Sequence, residues 1–450
     1  MTSRRPLALA ALSVLALSTS ALASVWSSSA ADMPASQSSD RLTAENRARL
    51  EAVAAKVEGE FIIGPAAAGD LGYRIVWQAS LPLIRGAAFK HTHLAGEAIF
   101  AIDAANNVAR LRPSDGQQIW RVGVGSPVDI FRGIDWIETP IVTGSGPTRM
   151  SSVEPRVYIS TDTECFVLDG ATGSIAKRQD FNKLPTTKPL NIGKFLIYGT
   201  LGGQIVWHHA IVGQEWRANS LDSTVRGSLA HAKGMVIAAS DRGMVLALDQ
   251  NDASRRWARQ TFGGVLAAPA ASDTTVFIAA LDQYLWAFDL RTGETRWKYF
   301  TQSPLKTQPF PVADVVLQFV PGEGLVCFNA DSTKIDGEVR WRNASAAGVP
   351  IGMITTGSGD RIVLWEQSSR TMTLVDPNLG SSDSTFHFPK AAELELVRSG
   401  PFAGDFFATS EDGHILRLTP RFARAAELID EKPMTPAEPP LSIPLEASGN

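Results

Sequence analysis

The sequence predicts an all-β chain, an eight-bladed β-propeller of four-stranded antiparallel blades, and three observations carry that prediction. A segment ending in tryptophan recurs roughly every forty residues, the repeat length of a propeller blade. Each copy alternates apolar and polar residues between Asp- or Gly-bearing turns, the pattern of antiparallel hairpins. A lone strand-like segment precedes the first copy, and the last copy lacks its final strand. A repeat of this kind cannot bury both faces alone, so copies must stack on one another.

The clearest copy is residues 276–297, VFIAALDQYLWAFDLRTGETRW, preceded by residues 235–257, MVIAASDRGMVLALDQNDASRRW. Degenerate copies run over 98–120, 157–177, 195–216 and 315–341. In the clearest copy an alternating run reaches a turn at Asp282-Gln283, a second run reaches Arg291-Thr292-Gly293, and a third ends at Trp297. Matching turns stand at Asp162-Thr163, Asp241-Arg242-Gly243 and Asp412-Gly413. A fourth, innermost strand is expected ahead of each copy, marked by Pro140, Pro189, Pro269, Pro309 and Pro401, since an edge strand tolerates the lost donor.

Blade ends fall at Trp77, Trp120, Lys177, Trp216, Trp257, Trp297 and Trp341, then near Phe386. The final repeat, 406–422, has two strands, whereas 73–79 (YRIVWQA) is a closing strand with no blade before it. Joining the two closes the ring at eight blades, with the N-terminal strand completing the last. Seven is the alternative, because the copy at 361–388 is weak. The recurring tryptophans 77, 120, 216, 257, 297 and 341 share one register, so each indole is expected to pack between adjacent blades and donate Nε1–H to a backbone carbonyl.

The strand–Asp–strand–(Thr/Asp)-Gly-x-x-x-Trp pattern resembles the quinoprotein-like (PQQ-type repeat) eight-bladed propellers over residues 73–422. Within them the single-ring plan is most similar to the propeller lipoproteins of the outer-membrane β-barrel assembly machinery. The resemblance implies a non-catalytic scaffold that binds cell-envelope proteins, with outer-membrane protein assembly as its process. The alternative it raises is a periplasmic quinone (PQQ)-dependent oxidoreductase. Enzymes of that type carry a vicinal disulfide, a carboxylate-held metal ion and a catalytic Asp. The sequence has no Cys-Cys pair and no Asp/Glu cluster outside the turns. No cofactor and no catalytic residue are expected.

Composition and the chain ends bound the rest. The 450 residues are 44% hydrophobic with a net charge of −4, enough for one large ring and without the basic footprint of a nucleic-acid binder. Arg4-Arg5, an apolar stretch over 7–17 and Ala21-Leu22-Ala23 read as a signal peptide, residues 1–23, whose core is short for a membrane span. Ser3-Arg4-Arg5-Pro6-Leu7 also resembles a twin-arginine signal. An exported, monomeric protein, periplasmic or extracellular and without a membrane span after cleavage, is expected. No cysteine stands near the cleavage point to carry the lipid anchor of the similar lipoproteins. A flexible Ser/Ala-rich leader is expected at 24–41, a short helix at 42–60 with Thr43 as its cap, the propeller at 73–422 and a disordered Pro-rich tail at 431–450.

Few side chains suggest chemistry. His91-Thr92-His93 has the strand spacing of two metal ligands but no evident third. Cys165 and Cys327, in blades two and six, are too far apart to bridge. Aligning the inner strands on their proline or its equivalent places Arg85, Arg226, Lys306 and Arg398 at one register in blades one, four, six and eight. That alignment predicts a basic ring at one channel mouth, able to attract an anionic ligand or an acidic partner segment. Loops at 144–154 and 330–337 are further candidates for partner contacts.

Overall fold

A computed structural model describes residues 35–81, 89–143 and 150–421. The chain divides into two units after Lys56. The first contains most of helix Ala35–Glu60. That helix starts at Ala35 rather than near residue 42, so residues 35–41 are helical and not part of a flexible leader. Once the Ala/Glu/Arg/Leu-rich stretch has nucleated, propagation through Ala, Gln and Ser costs little. Residues 1–34 and the tail from 422 onward lie outside the described residues.

The second unit consists of eight four-stranded antiparallel sheets arranged as a propeller. Blade one is Phe89–Ala95, Ala98–Asp103, Asn107–Leu111 and Gln118–Gly123, and six more follow in chain order. Blade seven, the weak repeat, is complete (Val349–Thr356, Gly359–Glu366, Thr371–Val375, Ser382–His387), which decides eight over seven. Blade eight takes three strands from the C-terminal end (Glu393–Leu396, Phe406–Thr409, His414–Pro420) and its outer strand, Tyr73–Ser80, from the N-terminal end. Tyr73 pairs with Pro420 and Ser80 with His414, so the ring is closed by backbone hydrogen bonds between residues far apart in sequence.

In blades one, three, four, five and eight the second strands are buried along their whole length, as in Met235–Ala239 and Thr275–Ala279, because both faces of each blade pack on a neighbour. The outer strands are half exposed, and each carries a register shift against its third strand or, in blade eight, its partner. Connectors between blades and the turns joining second to third strands share one face of the ring, called here the connector face. Turns joining first to second and third to fourth strands share the other, the hairpin face.

The tryptophan spacing becomes intelligible at the seams. Trp77, Trp120, Trp257, Trp297 and Trp341 each donate Nε1–H, at 2.8–3.0 Å, to a carbonyl near the last turn of the next blade. Each ring lies against a positive-φ glycine of that turn, including Gly380 against Trp341 in the blade of weakest repeat. A Cβ on Gly293 would stand 2.5 Å from the Trp257 ring, and one on Gly380 would stand 2.4 Å from Trp341. The glycine of the repeat thus serves the tryptophan of the preceding blade as well as its own turn.

Trp216 does not join this set. It is 42% exposed and stacks on Phe195 at 4.9 Å. The residue in the docking register is Arg217, opposite Trp207, as Trp257 is opposite Ala247. Arg217 donates to the Asp252 carbonyl, and the fully buried Trp207 fills the seam and bonds the Gln250 carbonyl. Lys177 plays the same role in blade two, donating to the Val212 carbonyl. With no indole in the docking register, the turn of blade four holds Ala253 at φ 56° where other blades hold glycine.

The seam between blades seven and eight has neither a docking tryptophan nor a last hairpin turn, because blade eight is built from both chain ends. Residues 61–71 fill it. Ile62, Ile63, Ala68 and Leu71 are buried against Val363, Trp365 and Phe388. The short helix Pro65–Asp70 is held at its start by Glu58, whose carboxylate accepts the Ala66 and Ala67 N–H groups.

The proline markers divide into two groups. Pro189, Pro269 and Pro309 stand immediately before inner strands Leu190–Ile192, Ala270–Ala271 and Phe310–Val312. Pro140 instead lies inside the long strand Phe131–Thr143, opposite Val153, in a two-stranded extension of blade two. Pro401 follows its inner strand, Glu393–Leu396. Outside blade two, proline marks a chain reversal beside the inner strand, and local composition does not say at which end.

Candidate partner-binding site

Of the four basic residues, the three that are described, Arg226, Lys306 and Arg398, do not share one end of the channel wall. Arg85 lies outside the described residues. Arg226 and Lys306 do share a register, each following a buried residue, Val225 or Leu305, whose N–H bonds a carbonyl of the preceding blade. The residue at that register between them is Leu266, after Val265. Arg226 is exposed and paired with Asp241 at 3.2 Å. Arg398 sits past the end of its inner strand, whereas Arg226 and Lys306 sit before theirs, so it belongs to the opposite end of the channel wall. The misalignment follows from Pro401, which stands after its strand rather than ahead of it.

Arg398 lines a channel cleft of about 650 Å³ together with Phe310, Glu395, His231 and Pro350. Its guanidinium lies 5.1 Å from the Phe310 ring centroid. Glu395 is raised by its confinement, with Lys188 and Arg398 pulling it back, and Glu393 is raised by burial and by Glu395. Nearby, between blades two and three, burial lifts Asp135 to about 7 against the attraction of Lys188. Its Oδ2 has no hydrogen-bond partner among the described residues.

His93 and His208 are engaged structurally. His93 places Nε2 2.9 Å from the Ile134 carbonyl, and the His91 side chain lies outside the described residues. His208 is buried against Gln179 and lowered to about 4, chiefly by burial and then by His209 and Lys177. No group of three potential metal ligands is found among the described residues. Both cysteines are free and buried, which pushes each thiol up to about 12.

Of the two loop candidates, residues 144–149 lie outside the described residues, and 150–154 belong to strand Met150–Thr161. The 330–337 loop covers part of the outer edge of blade five, where the Ile335 carbonyl accepts the Lys298 N–H at 2.9 Å. Covering an edge in this way removes a template for unwanted strand pairing.

Sequence reasoning missed the connector face. Val128 and Ile130 are exposed between blades one and two. Leu184 and Leu201 are exposed at blade three and joined by a 3.1 Å backbone hydrogen bond. Phe262, between blades four and five, is 79% exposed, and Phe300 closes the same group. The turn aspartates of the repeat hold these connectors in place. Asp162 accepts the Ile130 N–H and Asp282 the Phe262 N–H, each at 3.0 Å. On the hairpin face the exposed Val212, Ile335 and Leu379 stand at separate turn tips. The missed signal was an apolar residue in each of several connectors, where polar turn residues are the expectation.

Comparison with known proteins agrees with this architecture. Residues 197–349 match the family model described as outer membrane protein assembly factor BamB. The sequence matches no curated protein. The crystal structure of BamB from Moraxella catarrhalis superimposes with a TM-score of 0.54 at 18% identity, covering 76% of this chain and 97% of that one. The computationally designed Ika8 protein gives a TM-score of 0.54 at 14% identity, covering 76% and 98%. At these identities the two structures establish the fold alone. The chain is thus an eight-bladed propeller that resembles, over residues 197–349 in sequence, the outer membrane protein assembly factor BamB.

Proposed function

We propose that this chain is an exported, non-catalytic scaffold that engages protein partners of the cell envelope during outer-membrane protein assembly. The observation that carries the proposal is the connector face. Its exposed Ile130 and Phe262 sit on connectors fixed by Asp162 and Asp282, and Leu201 is bonded to Leu184, so a partner meets a preorganised surface. Exposed apolar groups clustered on rigid connectors are what a docking surface requires. The BamB family match supports the process, and the presence of arginines in structural ion pairs such as Arg417–Asp405 and Arg121–Asp103 fits a framework role for the buried charges. Among the described residues no helix is long and apolar enough to cross a membrane.

Deleting the gene and following folded outer-membrane β-barrels by their heat-modifiable gel migration tests the proposal. Folded barrels should fall and recover with the wild-type chain, but not with the variant Leu184→Ser, Leu201→Ser, Phe262→Ser. Unchanged barrel levels in the deletion strain would refute it.

A further inference from the structure

Resting on that reading, we propose that the blade four–five seam of the connector face is a peptide site that selects an acidic residue next to an apolar one. Four aromatic side chains converge there. Phe262 lies 5.7 Å from Trp286, Tyr284 lies 5.7 Å from Trp286, and Phe300 lies 5.2 Å from Tyr284, between ring centroids. Trp286 stacks on Phe288 beneath them at 5.6 Å, anchoring the group to the seam core. Asp282 fixes the geometry by accepting the Trp286 Nε1–H and the N–H groups of Phe262 and Tyr284.

Lys298 sits at the centre. Its ammonium is 4.9 Å from the Tyr284 ring centroid, 5.0 Å from Trp286 and 5.7 Å from Phe262. It forms no ion pair and no side-chain hydrogen bond among the described residues. Other strand-borne cations nearby are engaged, Arg256 by Asp249, Arg296 by Asp289, and Arg259 by the carbonyls of Ala258, Thr292 and Gly293. Ring faces attract the charge but accept none of its three N–H donors as a carboxylate does, so these are left to water.

That arrangement dictates the occupant. An apolar side chain laid on Phe262 and Phe300 expels water from Lys298, and a desolvated ammonium is costly unless a carboxylate meets it. A neutral apolar peptide therefore binds at a penalty. A cationic one is repelled, because the aromatic cage already holds a cation. A peptide bearing Asp or Glu beside a large apolar side chain satisfies both halves of the site. The blade five edge strand does not supply strand pairing at this point, since the Lys298 N–H is already given to Ile335.

A displayed random dodecapeptide library, selected on the full chain and counter-selected on Phe262→Ser, tests this. Enriched sequences should pair Asp or Glu with an aromatic or aliphatic residue. The best synthetic peptide should bind at least tenfold more weakly when its acid is changed to Asn, and likewise to Lys298→Gln. Lys298→Glu should reverse the preference toward a Lys-bearing version of the same peptide, which a merely unfolded variant does not do. Enrichment without acids, affinity indifferent to Lys298, or no enrichment on the folded chain would overturn the proposal. The barrel-assembly experiment does not depend on this selection, so failure of the peptide site leaves the scaffold reading standing or falling on its own test.

Discussion

At the scale of single residues, the seams make sharp predictions. Trp257 is buried and bonded across a seam, whereas Trp216 is exposed. Trp257→Ala should cost about 3–5 kcal/mol in denaturant unfolding, and Trp216→Ala about 1 kcal/mol or less. Equal losses would mean that both indoles dock. Ala253 occupies the left-handed region with a Cβ, so Ala253→Gly should raise stability by roughly 0.5–1 kcal/mol, whereas Gly293→Ala, which meets the Trp257 ring, should lower it by about 3 kcal/mol. Asp135 binds its proton more tightly folded than unfolded, so the folded state holds more protons between about pH 4 and pH 7. Stability should therefore decline as pH rises through that window and level off above it. Asp135→Asn should flatten this decline and stabilise the protein at pH 8 by an amount on the order of 3 kcal/mol. A pH profile unchanged by the substitution would contradict the buried, poorly solvated carboxylate. Much of this detail was legible in the sequence through the Gly-x-x-x-Trp spacing. Counting four residues from Gly213 reaches Arg217, not Trp216, so the exception could have been read by strict spacing. Trp207 taking over the volume could not, because that exchange is a packing event across strands.

At the scale of elements, strand existence followed from period-two alternation, and strand ends did not. Pro309 and Pro401 look alike in sequence, yet one opens an inner strand and the other follows one. That ambiguity moved Arg398 to the wrong end of its strand, away from the register that Arg226 and Lys306 share. The segment at 61–71 was illegible for another reason, since its apolar residues have no repeat partner and fill a seam that lacks a hairpin turn. Replacing Ile63 and Leu71 with Ser should therefore destabilise the ring at the blade seven–eight seam by several kcal/mol, because two fully buried apolar side chains lose their environment. Limited proteolysis would show early cleavage in blade eight. Cleavage beginning elsewhere would argue that the segment is not what holds that seam.

At the scale of the whole molecule, a ring is only as stable as its closure. Removing residues 73–80 leaves blade eight with three strands and an open edge along His414–Pro420, so the truncated chain should lose its single cooperative melt and self-associate. A truncated chain that melts cooperatively as a monomer would show that closure is dispensable. The propeller itself was legible because repetition averages over local irregularities. The partner surface was not, because exposed apolar residues in connectors carry no period and acquire meaning only when topology gathers them on one face. The central claim, that the connector face docks an envelope protein, is tested most directly by site-specific photo-crosslinking in cells. A photoreactive residue at position 201 or 262 should give the same discrete adduct with a cell-envelope protein, and one at Leu379 on the hairpin face should not. Absence of an adduct from both connector positions, or the same adduct from position 379, would contradict the account.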